Sequence, residues 1–507
     1  MRKLTALLLT LALLCGLGSS AMAKSAYTLD IYWIANRDDP EIRAGVEEAV
    51  NEYLGELYEN REVKANMQVS FHLIPWDPAW TEQAIGDLME GKKIDLIFTA
   101  DWEGYVQEIL EGRLTPLGDL LENYGEGITE SLSADFLEGV KYNGQIYGIP
   151  TNKELCAPTG LIVNKTAAAL IGWDPEKDPV KTTEELEPYL EKYKELYPGR
   201  YPYLMERDRW ADEPWDHDWI GIEGDALAMK FARNEDGEFD ETIYSIFETE
   251  EQEAHIRLMY RWAQLGYIAP DAAVSEKYNQ IFGTGDFLVF TQPLKGNDIK
   301  TMEMMAANKV PYEDFECTEI VLQDKYKVTN QAGGSMFAIP KSSRKKDVAM
   351  QYLNLMHSDA TLVNLMLFGK EGVNYTKVND SQVELIEDAN WYGMHGGAWT
   401  VGNTNLQYVL TTELPEKNAL LQEYANDAQK TASFGFRFNK RPVADILETV
   451  GAVVREYARP LMCGAVDPDD PEKGIEAFRK ALKEAGIDEL KAEAEAQYES
   501  WKIETKK

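Results

Sequence analysis

The stretch Gly144 to Lys165, GQIYGIPTNKELCAPTGLIVNK, holds two short apolar runs, Gln145 to Pro150 and Gly160 to Val163, with a polar loop between them. Their length and β-branched content are those of buried strands. One α/β unit precedes the stretch and another begins after it. The stretch is therefore read as the place where the backbone first crosses between two lobes.

Upstream, Tyr27 to Ala35 (YTLDIYWIA) alternates as a strand does and ends in the loop Asn36-Arg37-Asp38-Asp39-Pro40. An amphipathic helix follows, with apolar positions Ile42, Val46, Val50 and Leu54, and then a strand from Gln68 to Ile74. This β-α-β order opens a parallel sheet with ligand space at the carboxyl ends of its strands. Pro75-Trp76 leads through Asp77 and Trp80 into a helix, and Asp95 to Thr99 (DLIFT) makes a third strand ending at Ala100-Asp101-Trp102-Glu103. Successive strand ends are thus expected to deliver Trp33, Trp76 and Trp102 to one edge.

Downstream, helices are predicted at about Thr183 to Tyr197, Thr249 to Gly266 and Asp298 to Asn308. Between the first two lies the polar loop WADEPWDHDW, Trp210 to Trp219. Asn234-Glu235-Asp236-Gly237, flanked by Phe231 and Phe239, reads as a hairpin turn and has the wrong spacing for an EF-hand. Asn330 to Pro340 reads as a strand leading to a helix near Ser343. From Ser433 the chain runs Ser-Phe-Gly-Phe-x-Phe438, Pro442-Val443, a helix to Tyr457, and finally Leu482-Lys483-x-Ala485-Gly486-Ile487-Asp488.

Gly144-x-x-Tyr147-Gly148-Ile149-Pro150 followed by Leu161-Ile162-Val163-Asn164-Lys165 resembles the hinge entry of the extracellular solute-binding proteins of bacterial ABC importers. Gly112 to Leu117, Tyr278 to Phe290 and the Ile339-Pro340 return are similar to the same family's pattern. The stretch from Ser433 looks like the C-terminal module of its LipO-like, sugar-binding branch. The resemblance covers essentially the whole chain after residue 23. It implies an α/β, two-lobe, type II periplasmic-binding-protein-like fold with hinge crossings and extra C-terminal helices. The expected division is 24–153 for the first part of lobe 1, 154–328 for lobe 2, 329–380 for the return to lobe 1, and 381–507 for the completion of lobe 2 with the C-terminal module. The implied function is capture of a carbohydrate, an oligosaccharide, and its delivery to ABC permease subunits by a monomeric receptor.

Residues 1–23 read as a signal peptide: Arg2 and Lys3, the apolar core Leu4 to Leu14, and the small-x-small site Ala21-Met22-Ala23. Cys15 offers a lipid-anchor alternative, but Leu14 stands where lipoprotein processing calls for Gly, Ala or Ser. Removal of Arg2 and Lys3 takes the formal charge from -36 to -38, because this segment carries no acid. Such a surface disfavours nucleic acid and anionic lipid as partners. Cys156, Cys317 and Cys463 remain, an odd and widely spaced set that argues against a disulfide scaffold and against zinc.

The chain has no Gly-x-Ser-x-Gly elbow, His-Glu-x-x-His or Walker loop, and its five histidines are scattered. No catalytic residue, metal or cofactor is assigned. Aromatic placement tells more, since a sugar presents an apolar C–H face and a hydroxyl rim, which suit aromatic platforms beside polar side chains. The candidate ligand contacts are Asn36, Arg37, Asp38, Trp76, Asp101, Trp102, Glu103, the hinge-loop residues Asn152, Lys153 and Glu154, then Trp215 and Trp219 of the tryptophan-rich loop. Gly334 and Ser335 of the return crossing join them, with Trp391, Trp399 and Asn403 of the glycine-rich loop NWYGMHGGAWTVGNTN. A peptide receptor on the same fold and a secreted carbohydrate-active enzyme are the alternatives.

Overall fold

The computed structural model describes residues 26–207, 217–220, 226–231, 237–311 and 314–505. Trp210, Trp215 and most of the Asn234 to Gly237 turn lie outside the described residues.

The strand Tyr27–Ala35 pairs in parallel with Met67–Pro75 along its whole length and with Leu96–Thr99 on its other side. Between Tyr27–Ala35 and Met67–Pro75 comes the helix Pro40–Glu59, whose start is set by Asp39, accepting from the amides of Glu41 and Ile42, and by Pro40 in the first turn. Its buried face, Val46, Ala49, Val50, Leu54 and Leu57, covers the sheet. Met336–Ala338, returning from far down the chain, enters antiparallel between Leu96–Thr99 and Gly148–Pro150 and completes a five-stranded sheet. The apolar run at Gln145 divides: Gln145–Ile146 closes a hairpin with Lys141–Tyr142, and Gly148–Pro150 joins the main sheet.

The other run, Thr159–Asn164, is the centre strand of a second sheet, flanked antiparallel by Val289–Pro293 and Cys317–Val321. The chain therefore leaves one sheet at Pro150 and enters the other at Thr159. Two more passages run beside this one: Cys156 bridges Lys327, and Tyr326–Lys327 pairs in parallel with Gln429–Lys430. Lys327 and Lys430 both reach Asp135 of the first lobe, at 2.8 and 2.7 Å. Three crossings thus lie side by side as the hinge.

The C-terminal helices Ala444–Met462, Ile475–Glu484 and Ile487–Thr505 share a core with Ile220, Leu227, Ile243 and Phe247, so the module is built onto the middle of the chain. One boundary differs from expectation. Val383, Trp391, Met394 and Val401 belong to the same core as Leu29, Phe71 and Phe98, so the first lobe continues beyond residue 380. The reason is the loop after Asn390, which folds back against the first strand through the amides of Asn36 and Arg37 on the Met394 carbonyl. Cys156, Cys317 and Cys463 are buried as thiols. Among the described residues, no helix is long and apolar enough to cross a membrane.

Two glycines give opposite expected outcomes. Gly402 has φ +45°, and a Cβ there would sit 1.9 Å from the Met356 carbonyl oxygen. Gly45 lies in a helix with nothing within 4 Å of an added Cβ. Thermal or urea unfolding should show Gly402→Ala losing at least about 2 kcal/mol. Gly45→Ala should gain about 0.5–1 kcal/mol.

Candidate functional site

The carboxyl edge of the first-lobe sheet carries three tryptophans from three different segments. Trp76 follows the last residue of its strand, Trp102 sits in the turn Asp101–Glu103 after the third strand, and Trp399 comes from the turn Ala398–Thr400. Their ring centroids are 5.8 Å (Trp76 to Trp102), 6.1 Å (Trp76 to Trp399) and 6.3 Å (Trp102 to Trp399) apart. Phe98 lies beneath Trp102 and Trp399 at 5.9 Å from each. The result is an aromatic floor whose Trp102 is 39% exposed.

Polar groups fix these rings. The Trp76 indole donates to Asn36 Oδ1 at 2.9 Å, and Asn36 Nδ2 donates to the His395 carbonyl. The Trp102 indole donates to the Gly334 carbonyl at 2.8 Å. Asn36 and Gly334 accordingly hold the floor in place. Glu103, half-buried next to Trp102, has its carboxyl pushed up to about 7, by burial first and by the Asp77 carboxylate second. Near neutral pH it therefore carries a proton part of the time, and it can then donate to as well as accept from a hydroxyl.

Asp101 faces the other way from Trp102. Both of its oxygens accept from the Arg437 guanidinium at 2.8 Å, and Arg437 also donates to the Lys141 carbonyl. The side chains are 4% (Arg437) and 9% (Asp101) exposed, so this is a buried bidentate pair. A Cβ at Gly333 would lie 2.1 Å from Asp101 Oδ2, so only glycine lets the second crossing pass there.

Beside that pair a pocket of about 120 Å³ opens between the helix Tyr105–Leu110, the second crossing and the C-terminal module. Gly104, Gln107, Asp218, Trp219, Asn330 and Phe436 line it. Asp218 is pushed up to about 6 by burial, against the hydrogen bonds that it accepts from Ser433 and Thr431.

Several expected contacts are structural instead. Trp391 is fully buried, with its indole on the Met366 carbonyl. Trp33 stacks on His395 at 4.6 Å inside the core. Asn152 and Asn403 bond each other at 3.0 Å and tie the first crossing to the glycine-rich loop. Ser335 is buried against Thr151 at 3.2 Å. Asp38 is taken by Arg43 at 2.9 Å, and Arg37 lies exposed against the Asn390 carbonyl.

Lys153 and Glu154 begin a buried line of alternating charge. Lys153 meets Glu154 at 3.2 Å, Glu154 meets Lys295 at 3.8 Å, and Lys295 meets Glu303 at 2.9 Å. Lys417 then lies 3.7 Å from Glu303 and 2.8 Å from Glu413. Burial by itself would raise the Glu154 carboxyl, but Lys153 and Lys295 outweigh it and hold the group down to about 2. A folded-state value below the unfolded one, about 4.5, contributes stability above pH 4.5 that is lost as pH falls towards 2. Glu154→Gln is therefore expected to cost about 2–3 kcal/mol at pH 7 and distinctly less at pH 3, read from urea unfolding at the two pH values.

Arg437 went unmarked in the sequence, although it stands alone among aromatics in Ser433-Phe-Gly-Phe-Arg-Phe438 of a strongly acidic chain. A single cation in such a run was the available signal. Its partner, Asp101, is 336 residues away.

Two α/β lobes, three adjacent passages between them and an aromatic floor at a sheet's carboxyl edge define a hinged receptor for a small solute. The chain belongs to the family of bacterial extracellular solute-binding proteins, which its residues 64–369 match. Residues 432–503 match a domain of unknown function (DUF3502), and this match begins where the C-terminal stretch was singled out. A carbohydrate ABC transporter substrate-binding protein of Streptococcus pneumoniae is 21% identical over 424 residues, covering 81% of this chain and 80% of that protein. The N-glycan transport solute binding protein (NgtS) of Streptococcus pneumoniae superposes with a TM-score of 0.77 at 20% identity, over 93% of this chain and 98% of that one. An extracellular solute-binding protein from Bifidobacterium longum subsp. infantis does so at 0.63 and 14%, over 95% and 100%. The two superpositions agree on the fold.

Proposed function

We propose that this protein is a receptor that captures an oligosaccharide between its lobes and hands it to the membrane permease of an ABC importer. The observation that carries the sugar reading is the floor of Trp76, Trp102 and Trp399, bordered by Glu103. Flat rings match the C–H face of a pyranose, and a carboxyl that both donates and accepts matches its hydroxyls. The carbohydrate name of the pneumococcal relative and the glycan transported by NgtS support the same class. Export by residues 1–23, with cleavage near Ala23, belongs to this reading. Binding closes the lobes about the three crossings, and the closed surface is what the permease engages.

The test is intrinsic tryptophan fluorescence of the chain from Lys24 onward, titrated with plant, host and microbial oligosaccharides. A saturable change at micromolar concentration or below, with the sugar recovered intact, is the expected result. Recovery of cleaved sugar would replace the receptor by an enzyme. Silence across the panel from folded protein would replace sugar by another solute.

A further inference from the structure

Two of the floor's tryptophans are each followed in the chain by an acid: Asp77 comes after Trp76 and Glu103 after Trp102. The turns that bring those indoles to 5.8 Å also bring the two acids within each other's field. Burial, and then the Asp77 charge, push the Glu103 carboxyl up to about 7. Among the described residues, nothing hydrogen-bonds to or pairs with that carboxyl. Asp77 is exposed and accepts the Thr81 amide and hydroxyl on Oδ1, at 3.0 and 2.7 Å, and no described group donates to its Oδ2. Buried acids elsewhere have cations: Asp95 has Lys345, Glu108 has Arg113 and Glu413 has Lys417. The cations of nearby segments are turned elsewhere, Arg437 to Asp101, Lys153 to Glu154 and Arg37 to the Asn390 carbonyl. A half-buried carboxyl that faces a second acid and no cation is an arrangement that folding by itself disfavours.

A positively charged ligand answers it. An ammonium group at this rim is attracted by both carboxylates, by the indole faces and by the acidic chain as a whole, whose formal charge is -36. A neutral hydroxyl can hydrogen-bond to Glu103 but leaves the repulsion between the two acids in place, and an anion adds to it. A bare metal ion would leave the rings uncovered. We infer that Glu103, supported by Asp77, is the specificity-determining residue of this site and selects an amino sugar, whose ammonium group meets the two carboxylates while its C–H face lies on the tryptophan floor. This rests on the oligosaccharide reading and narrows it to basic sugars. The proton that Glu103 holds part of the time near neutral pH passes to solvent when the ammonium arrives, because an opposite charge favours the ionised carboxyl.

Isothermal titration calorimetry with chitotriose and its fully N-acetylated form tests the inference, because the two trimers share rings and linkage and differ only in amine against acetamide. The wild-type chain from Lys24 onward is expected to bind the amino trimer at least tenfold more tightly. Sodium chloride raised from about 20 to about 300 mM should weaken the amino trimer severalfold and the acetylated one little. Glu103→Gln, which keeps the shape and removes an unpaired half-buried carboxyl, should fold at least as stably by thermal unfolding and bring the preference to within about threefold. Equal affinity for the two trimers, tighter binding of the acetylated one, or a preference that survives Glu103→Gln overturns the inference and leaves the oligosaccharide reading standing. Putrescine bound as tightly as the amino trimer overturns the sugar part of it. Silence towards both trimers also overturns it, and the wider fluorescence panel then judges the oligosaccharide reading by itself.

Discussion

Trp102→Ala is expected to lower affinity for a bound oligosaccharide by about 100-fold, equivalent to ~2.7 kcal/mol, with little change in folding stability. The ring is 39% exposed and stands in a turn, so its removal opens no closed core cavity. It contacts both other members of the floor, and its loss reduces the three-ring platform to the Trp76–Trp399 stack. Trp102→Phe should recover part of the loss, since a face remains but the indole N–H to the Gly334 carbonyl does not. Titration calorimetry on the three proteins measures this, and thermal unfolding checks the fold. A twofold effect would move the ligand away from the floor. Trp33→Ala makes the opposite control: that ring is fully buried, and its loss should cost about 3–5 kcal/mol of stability.

The second large effect is structural. Arg437→Met should destabilise the protein by about 3–5 kcal/mol, because Asp101 is left charged, buried and without its partner. The double variant Asp101→Leu/Arg437→Met should be distinctly more stable than Arg437→Met, since neither buried charge then remains. Urea unfolding of the four proteins in the cycle gives the coupling directly. Additive losses would mean that the two groups act independently, against the bidentate 2.8 Å geometry. Arg437 joins the C-terminal module to the first lobe, and Arg441 does so as well through Glu111 at 2.6 Å. Weakening Arg437 should therefore loosen the module as well as the turn that carries Trp102.

Much of the first lobe was legible because its signals are local. Tyr27–Ala35 alternates, Asp39-Pro40 marks a helix start, and the strand ends place Trp76 and Trp102 at one edge. Trp33, expected at the same edge, occupies the third position from the end of its strand, where the side chain points onto a sheet face and is covered. Trp76 comes one residue after its strand ends and escapes the sheet. In the glycine-rich loop Trp391 and Trp399 look alike in sequence. One inserts beneath Phe71 and the other stacks on Trp76, a choice made by how the loop folds back on the first strand.

Composition, hydrophobic period and turn residues were enough to mark two α/β units and a crossing near Pro150, because each depends on neighbours within a few positions of the chain. Folding alone decided which polar residues bind each other and which are left to meet a ligand. Asn152 closes on Asn403 across 251 residues, Asp101 on Arg437 across 336, and the third tryptophan of the floor comes from the turn at Ala398–Thr400. Such pairs are set by the packing of two sheets and three crossings, where one residue's shift along a strand turns a side chain from cleft to core.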